Sequence, residues 1–589
     1  MAKNKKSTNA KGRVITTQAQ MDKAIWSICN LLRRDKCKGA RLYVPELTWM
    51  LFLKALDVAE QKEKIKAVTL GTEFSASIKE PYRWGDWVVG DKRKELQTGA
   101  IGSVLKFVNE ELFPYLKSLD DIDKNPTPTG QQRVIAEIFR NKEKTIISSE
   151  TNLMDVLDEV EKLSQAELSD KHIFPISQAL EGLLLRMGDR KNDGGQFFTP
   201  REIIRVIIKA VNPQIGKTVY DPACGTGGFL IEAFKYIMAQ KPTGTQIKTL
   251  KTETFWGRED APEAIPICLA NMVLHGIELP RIWHGNTLTG IATYGELFEG
   301  APAQFDYIFT NPPFGSKEGE AAQQNFKYQC NKAQVLFMQH IIDGLIDHLK
   351  DGGTCGMVID EGLLFHTKTD AFTQTKRKLL SDCNLWCIVS LPPGVFVNAG
   401  ANVKTDLLFF TKGKQTDKIW YYDITMTATL EDRKVGKKTP LLAEHFDDFF
   451  ARLALDPNDP GRESERSWTI DFTKRKREAK AKSDTLKQEA EEFNQKIKQH
   501  RETLKAMKKA GQENTQQYQD LDETIKELDK EVRELLAKAK AIHDAVYNIK
   551  ATNPNAPDRT DKRTPEELIA IIEESQKEIM AGLEALRMI

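Results

Sequence analysis

What the 589 residues lack is the first guide to them. No run approaches 18 consecutive apolar residues, so no membrane-crossing helix is expected. The opening MAKNKKSTNAKGR has no apolar stretch behind it, so it does not read as a secretory leader. The eight cysteines contain no CxxC pair, which argues against a disulfide framework and suits a reducing cytoplasm. Cys383 and Cys387 lie four apart in SDCNLWCIVS, but no second Cys/His pair stands at zinc spacing. A half-buried strand is their expected place, and no metal is expected. Nine histidines are scattered, with no HxxxH or HExxH among them. Neither sign of charge dominates: Lys+Arg is 85 and Asp+Glu is 84. That excludes a chain held to nucleic acid by bulk charge, though not a local basic groove. Gly216-Lys217-Thr218 has Val211 where a phosphate loop needs its first glycine, so ATP-driven translocation is not expected here. No Pro-Cys pair follows a suitable strand, so the thiolate that attacks cytosine C5 has no candidate.

The length sets a soft prior of about three to four domains. Hydrophobic residues make up 40% and charged residues 29%, which points to an ordinary core plus a charged helical excess. Residues 1–20 read as a flexible basic arm. From 21 to 190 the pattern is helical: MDKAIWSICNLLRR, LTWMLFLKALDVAEQKEK and TNLMDVLDEVEKLS space apolar residues three and four apart. At Thr199 the character changes. FTPREIIRVIIKAVNP predicts an amphipathic helix with Thr199 as N-cap and Pro200 as its first residue. Strand-like KTVYDP, ETFWGRE, RIWHGN, FDYIFTNPP, TCGMVID, LWCIVSLPP, VKTDLLFFTK and KIWYYDI then alternate with helices. The expectation is a Rossmann-like α/β domain over 191–470, a mainly parallel sheet with helices on both faces. The tail, 471–589, is different again. Phe493, Ile497, Leu504, Met507, Tyr518, Leu521, Ile525, Leu528, Val532, Leu535, Ile542, Val546 and Ile549 keep one heptad, a coiled-coil seam that needs a partner from this chain or another. Gly511 and Asn514 interrupt it, so the tail is one long helix or a hairpin turning at AGQENTQQ. The unbroken phase slightly favours the long helix. Thr564-Pro565-Glu566-Glu567 reads as the capping box of a last helix.

The sharpest chemical signal is Asn311-Pro312-Pro313-Phe314, at the carboxyl end of an apolar strand, where open α/β sheets bind ligands. The set suits methylation of an exocyclic amine. The nitrogen of such an amine is a poor nucleophile because its lone pair is delocalised. The Asn311 side-chain oxygen and the Pro312 carbonyl can hold both its hydrogens and favour a pyramidal nitrogen. Two prolines pre-place these acceptors, and Phe314 offers a face for an extruded base. About 90 positions earlier stands KTVYDPACGTGGFL, where Asp221 ends a strand and Gly225, Gly227 and Gly228 allow close approach to a ligand. Glu259 ends the next strand, where an acid can accept from ribose hydroxyls. Asn286 follows the third and is placed to meet an adenine edge. A glycine turn, an acid, a polar residue and NPPF thus follow four successive strands.

In these residues the chain resembles the amino-type DNA methyltransferases, and within them the methylation (modification) subunit of type I restriction-modification systems. DPACGTGGFL is similar to that family's S-adenosylmethionine loop and NPPF to its catalytic loop. GGQFFTPRE resembles the segment that closes over the methionine part of the cofactor. LKDGGTCGMVID, LPPGVFVNAGANVKTDLLFF and KIWYYDIT are also similar to the family, so the likeness spans roughly residues 20–430. It implies Gln196, Phe197, Phe198, Thr199, Pro200, Thr226, Gly227, Gly228 and Glu259 near the cofactor. It departs at Asn286, where the family often has Asp. The implied activity is adenine-N6 methylation of double-stranded DNA in the cytoplasm. The implied partners are a specificity subunit, shared by two methylation subunits, and a restriction/translocase subunit.

The residues themselves leave a gap that fits this. After KIWYYDIT only about 50 irregular residues precede the helical tail, too few for a module that reads base sequence. Residues 474–509 hold 13 basic against 6 acidic side chains, enough to touch phosphates, which carry no sequence code. Methylation of RNA or of protein glutamine, or a non-catalytic scaffold, are the competing readings.

Overall fold

The computed structural model describes residues 18–35, 37, 40–99, 103–165, 199–289, 296–344, 348–396, 403–426, 435, 439, 441–555 and 563–587. The basic opening and the stretch from 166 to 198 lie outside the described residues.

Among the described residues, everything before Thr199 is helix and turn. The three helices expected there are Gln18–Arg34, Ala40–Leu70 and Glu150–Gln165. An aromatic centre joins them to the shorter helices between: Trp49 meets Phe113 edge-on at 5.2 Å, and Trp84 meets Trp87 at 5.7 Å. This helical body rests on the next domain, where the helix Ala264–Leu274 packs against Ala40–Leu70 and Gly130–Phe139.

Among the described residues, nine strands form one sheet: β1 (Val219–Asp221), β2 (Phe255–Glu259), β3 (Arg281–His284), β4 (Gln304–Thr310), β5 (His348–Asp360), β6 (Cys383–Ser390), β7 (Thr405–Lys412), β8 (Lys418–Asp423) and β9 (Ser467–Asp471). Their order is β3-β2-β1-β4-β5-β7-β6-β8-β9. The first five run parallel; β7 and β9 run antiparallel to their neighbours. The eight expected strands are all present. SWTID, the ninth, is a short segment among polar neighbours whose pairing to β8 closes the sheet edge. Helices cover both faces. Arg201–Val211, Gly228–Met238 and Ala264–Leu274 bury their apolar stripes on one, Ala333–Asp343 and Asp370–Asp382 on the other. Cys383 and Cys387 lie on β6, as expected; burial alternates along the first half of that strand, and both cysteines take its buried side.

The tail corrects the preference for one long helix. Phe472–Lys509 and Gln516–Ala545 are separate helices that fold back on each other. Gly511, at φ +71°, makes the turn that a side chain would strain. Ile497, Ile525, Val532 and Ala490 fill the seam between the arms. Each arm is therefore the other's partner, and the unbroken heptad phase simply gives both arms an apolar stripe. Ser483 Oγ donates to Ala539 O at 3.1 Å, and Arg501 pairs with Asp529 at 2.7 Å. Beyond the hairpin, Val546, Tyr547 and Ile549 are buried against the sheet edge, with Tyr421 Oη donating to Ile549 O at 2.8 Å. The last helix, Pro565–Arg587, starts at the expected capping box: Glu567 N–H donates to Thr564 Oγ1, and Thr564 N–H to the Glu567 carboxylate. No helix among the described residues is long and apolar enough to cross a membrane.

Candidate active site

Strand order reverses between β1 and β4, and in open α/β sheets that reversal opens a crevice at the carboxyl ends. Parallel pairing puts the ends of β1, β2, β3 and β4 on that same edge. Asp221, Glu259, Asn286 and Asn311 are brought together there by topology alone.

The chain turns sharply after β1. Ala223 N–H donates to Asp221 Oδ1 at 3.0 Å, Cys224 N–H to Arg258 O at 3.0 Å, and Gly227 N–H to Cys224 O at 2.8 Å. Gly227, at φ +79°, caps the helix Gly228–Met238. A Cβ on it would lie 3.0 Å from Met272 Cγ and 3.2 Å from Cys268 Sγ, and one on Gly228 would lie 2.5 Å from Arg201 Nη1. These two glycines therefore answer to close internal packing as well as to any ligand. Thr226 is held by its carbonyl, which accepts from Asn271 Nδ2 at 2.9 Å.

Glu259 fastens this turn to β2. One carboxylate oxygen accepts from Gly225 N–H at 2.7 Å and the other from Ala261 N–H at 2.9 Å. Each oxygen keeps a second lone pair, so a diol can still be received. Burial pushes the Glu259 carboxyl up, against these backbone hydrogen bonds. Burial likewise pushes Asp221 up to about 7, while the hydrogen bond from Ala223 N–H pulls it down. The contact with Cys268 and burial push the Cys224 thiol up, which leaves it unsuited to nucleophilic attack.

Asn286 does not present a bare amide. Its Oδ1 accepts from Leu288 N–H at 2.8 Å, and its Nδ2 donates to Glu318 Oε2 at 3.2 Å.

Asn311 follows β4. Its Nδ2 donates to Thr199 Oγ1 at 3.0 Å. Its Oδ1 is buried and has no hydrogen-bond partner. A buried acceptor left empty costs about 1–3 kcal/mol, so such an atom wants a donor. The N-cap expectation for Thr199 fails because its hydroxyl is taken by the Asn311 amide nitrogen. Pro200 is the capping residue, the helix begins at Arg201, and the Thr199 hydroxyl is turned to Asn311 instead. Pro312 is buried and Pro313 partly so. Phe314 packs edge-on against Phe396 at 5.5 Å. Phe396 and Glu318 were not singled out by the sequence, because each gains its place only when the loop after β6, or the loop after NPPF, folds onto the site. Gln196, Phe197 and Phe198 lie outside the described residues.

The donor set can be tested against a sulfonium nucleoside. Carboxylates at the ends of β1 and β2 suit a diol and a positive charge, and the glycine turn opens a helix N-terminus. A partnerless acceptor stands at the neighbouring strand. The residues fit such a cofactor. No group of three or more metal-ligating side chains is gathered among the described residues.

Comparison with known proteins gives the same direction. The N-6 DNA Methylase family matches residues 169–506, and the HsdM N-terminal domain matches residues 21–160. The type I restriction enzyme EcoEI methylase subunit of Escherichia coli is 32% identical over 406 residues, 68% of this chain and 76% of that protein. The EcoKI methylase subunit of Escherichia coli (strain K12) is 30% identical over 466 residues, 76% of this chain and 78% of that one. A chain from a solved type I R-M system is 31% identical with a TM-score of 0.65, covering 97% of this chain and 98% of that one.

Proposed function

The chain belongs to the N-6 DNA methylase family, among the methylase subunits of type I restriction enzymes, and on that premise we propose how its residues act. The reading is transfer of a methyl group from S-adenosylmethionine to N6 of an adenine extruded from double-stranded DNA. A specificity subunit chooses the site. The observation that carries it is the Asn311 amide, with its nitrogen anchored on Thr199 and its oxygen buried and waiting for a donor.

S-adenosylmethionine, when bound, supplies an electrophilic methyl on a sulfonium. Glu259 would take its ribose, Asp221 and the turn Gly225-Thr226-Gly227-Gly228 its amino-acid end, and Asn286 its base. Gln196, Phe197, Phe198, Thr199 and Pro200 would close over it. Asn311 Oδ1 and the Pro312 carbonyl each accept one hydrogen of the target amine, which draws its lone pair out of conjugation. Pro313 stiffens the loop. Phe314, backed by Phe396, stacks on the flipped base. The proton that the amine loses passes to water. We assign the helical N-terminal domain to 21–190, of which 166–190 lie outside the described residues, the chemistry to 191–470 and docking to 471–589. The partners are the DNA, one specificity subunit shared by two copies of this chain, and a restriction subunit.

Single-molecule sequencing of DNA from a methylation-free host tests the reading. The chain is expressed alone and then with its neighbouring genes. N6-methyladenine at one split motif, only on co-expression, is expected. No methylated adenine in either sample overturns it.

A further inference from the structure

The loop that follows NPPF is fastened to the loop that follows β3. Asn286 Nδ2 donates to Glu318 Oε2 at 3.2 Å, and Asn325 Nδ2 donates to Leu288 O at 3.0 Å. Glu318 is itself held in place: its N–H donates to Asn331 O at 3.0 Å, and its carbonyl accepts from Gln323 Nε2 at 2.9 Å. Beneath both loops Leu288 packs with Ala322, Phe326 and Leu336, and Ala223 of the glycine turn lies against that cluster. Thr287 Oγ1 donates to Pro222 O at 2.6 Å, which presses the β3 loop onto the same turn. A carboxylate from the catalytic loop is thus delivered, on a rigid mount, to the end of the third strand. Among the described residues it pairs with no cation, and its Oε1 makes no hydrogen bond.

An adenine edge presents an amine donor beside a ring-nitrogen acceptor. A lone asparagine can satisfy both with one amide. Both ends of the Asn286 amide are already engaged, the oxygen by Leu288 N–H and one hydrogen by Glu318, which leaves one lone pair and one hydrogen on an amide tied into its own turn. The Glu318 carboxylate beside it is the stronger, charged acceptor, and its Oε1 makes no hydrogen bond. We propose that Glu318 reads the adenine of the cofactor with Asn286, its carboxylate receiving the amine while the Asn286 amide hydrogen meets the ring nitrogen. This rests on the S-adenosylmethionine reading above. It makes one segment serve both substrates, since the loop that holds the target amine also senses the cofactor base. An oxygen in place of the amine would face the carboxylate and be repelled.

The test is titration calorimetry on the full chain with S-adenosylhomocysteine and with its deaminated analogue, S-inosylhomocysteine. The wild type is expected to prefer the adenine form by about 10- to 100-fold, the range of one charge-assisted hydrogen bond. Glu318→Gln is expected to lose most of that preference. Asn286→Asp added to Glu318→Gln returns a carboxylate to the same edge and is expected to restore it. A merely structural role for Glu318 would weaken both ligands alike, with no rescue, and that result overturns the proposal. So does a Glu318→Gln variant that keeps the full preference, although the cofactor reading then stands. A wild type that binds neither ligand removes the cofactor reading and this inference together.

Discussion

The Thr199 hydroxyl and the Asn311 amide nitrogen, 112 positions apart in the chain, meet at 3.0 Å. That contact decides which end of the Asn311 amide is left to accept. Without it the amide can rotate and offer hydrogens to an amine that needs acceptors. Thr199→Val is expected to lower kcat for methyl transfer about 10-fold, the value of one net hydrogen bond, with little change in cofactor KM. Thr199→Ser should recover most of the loss. Steady-state kinetics on the assembled complex decides it, and an unchanged kcat in the valine variant would detach Thr199 from the chemistry.

Asn311→Ala removes the waiting acceptor itself. Loss of one preorganised hydrogen-bonding group at a reacting centre costs on the order of 100- to 1000-fold in rate. Methyl transfer should fall by at least that much while cofactor binding survives. Calorimetry beside a transfer assay separates the two, and full activity would sink the mechanism.

Gly227→Ala places a Cβ where φ is +79° and 3.0 Å from Met272 Cγ. The left-handed backbone costs an L-residue about 1–2 kcal/mol, and the crowding adds to it. The melting temperature should drop by several degrees, with weaker cofactor binding. A variant as stable as wild type would mean that the helix Ala264–Leu274 yields easily.

Asp406 tests the cost of buried charge away from the reacting atoms. Burial pushes its carboxyl up to about 7, against a hydrogen bond from Ser390 and the attraction of Lys404 and Lys550. The native state therefore holds a proton that the unfolded chain gives up near pH 4. Stability falls as pH rises from about 4 to 7 and then levels off. Asp406→Asn removes that penalty, so its stability over wild type should widen with pH, reaching on the order of 2–4 kcal/mol above pH 7. Asp221 carries a shift of the same sign and leaves some slope in both proteins. Thermal melts across pH 4–8 measure the gap; a constant gap contradicts the assignment.

The seam of the hairpin should be local in its effect. Ile497→Ala deletes a nearly buried side chain and should cost about 2–4 kcal/mol. Hydrogen exchange is expected to quicken in Phe472–Lys509 and Gln516–Ala545 and to stay unchanged in β1 to β5. Faster exchange in the sheet would show that the arms brace the catalytic domain.

Much of this was legible beforehand, for physical reasons. Strands β1 to β8 each join an apolar run to a turn, and a parallel sheet puts the residues after such runs on one edge. Hence the sequence alone groups Asp221, Glu259, Asn286 and Asn311. What was hidden depends on pairing at a distance. A heptad shows a stripe but not the direction of its partner, so the hairpin could be raised but not chosen. A Ser/Thr ahead of Pro looks like a cap, and only the approach of β4 draws the Thr199 hydroxyl away. Glu318 looks like any surface acid until Asn286 is beside it. The ninth strand, with five residues and little apolar content, carries too weak an alternation to declare itself.

The two feet of the helical hairpin nearly touch: Arg475 Nη2 donates to Ala545 O at 2.9 Å. Chain entering and leaving the arm is thus held at one hinge-width, whatever lies beyond. One heptad added to or taken from each arm in step would keep the seam in phase and leave both feet where they are. On that geometry the reach of the arm is set by the number of heptads in it, independently of the sheet that anchors it.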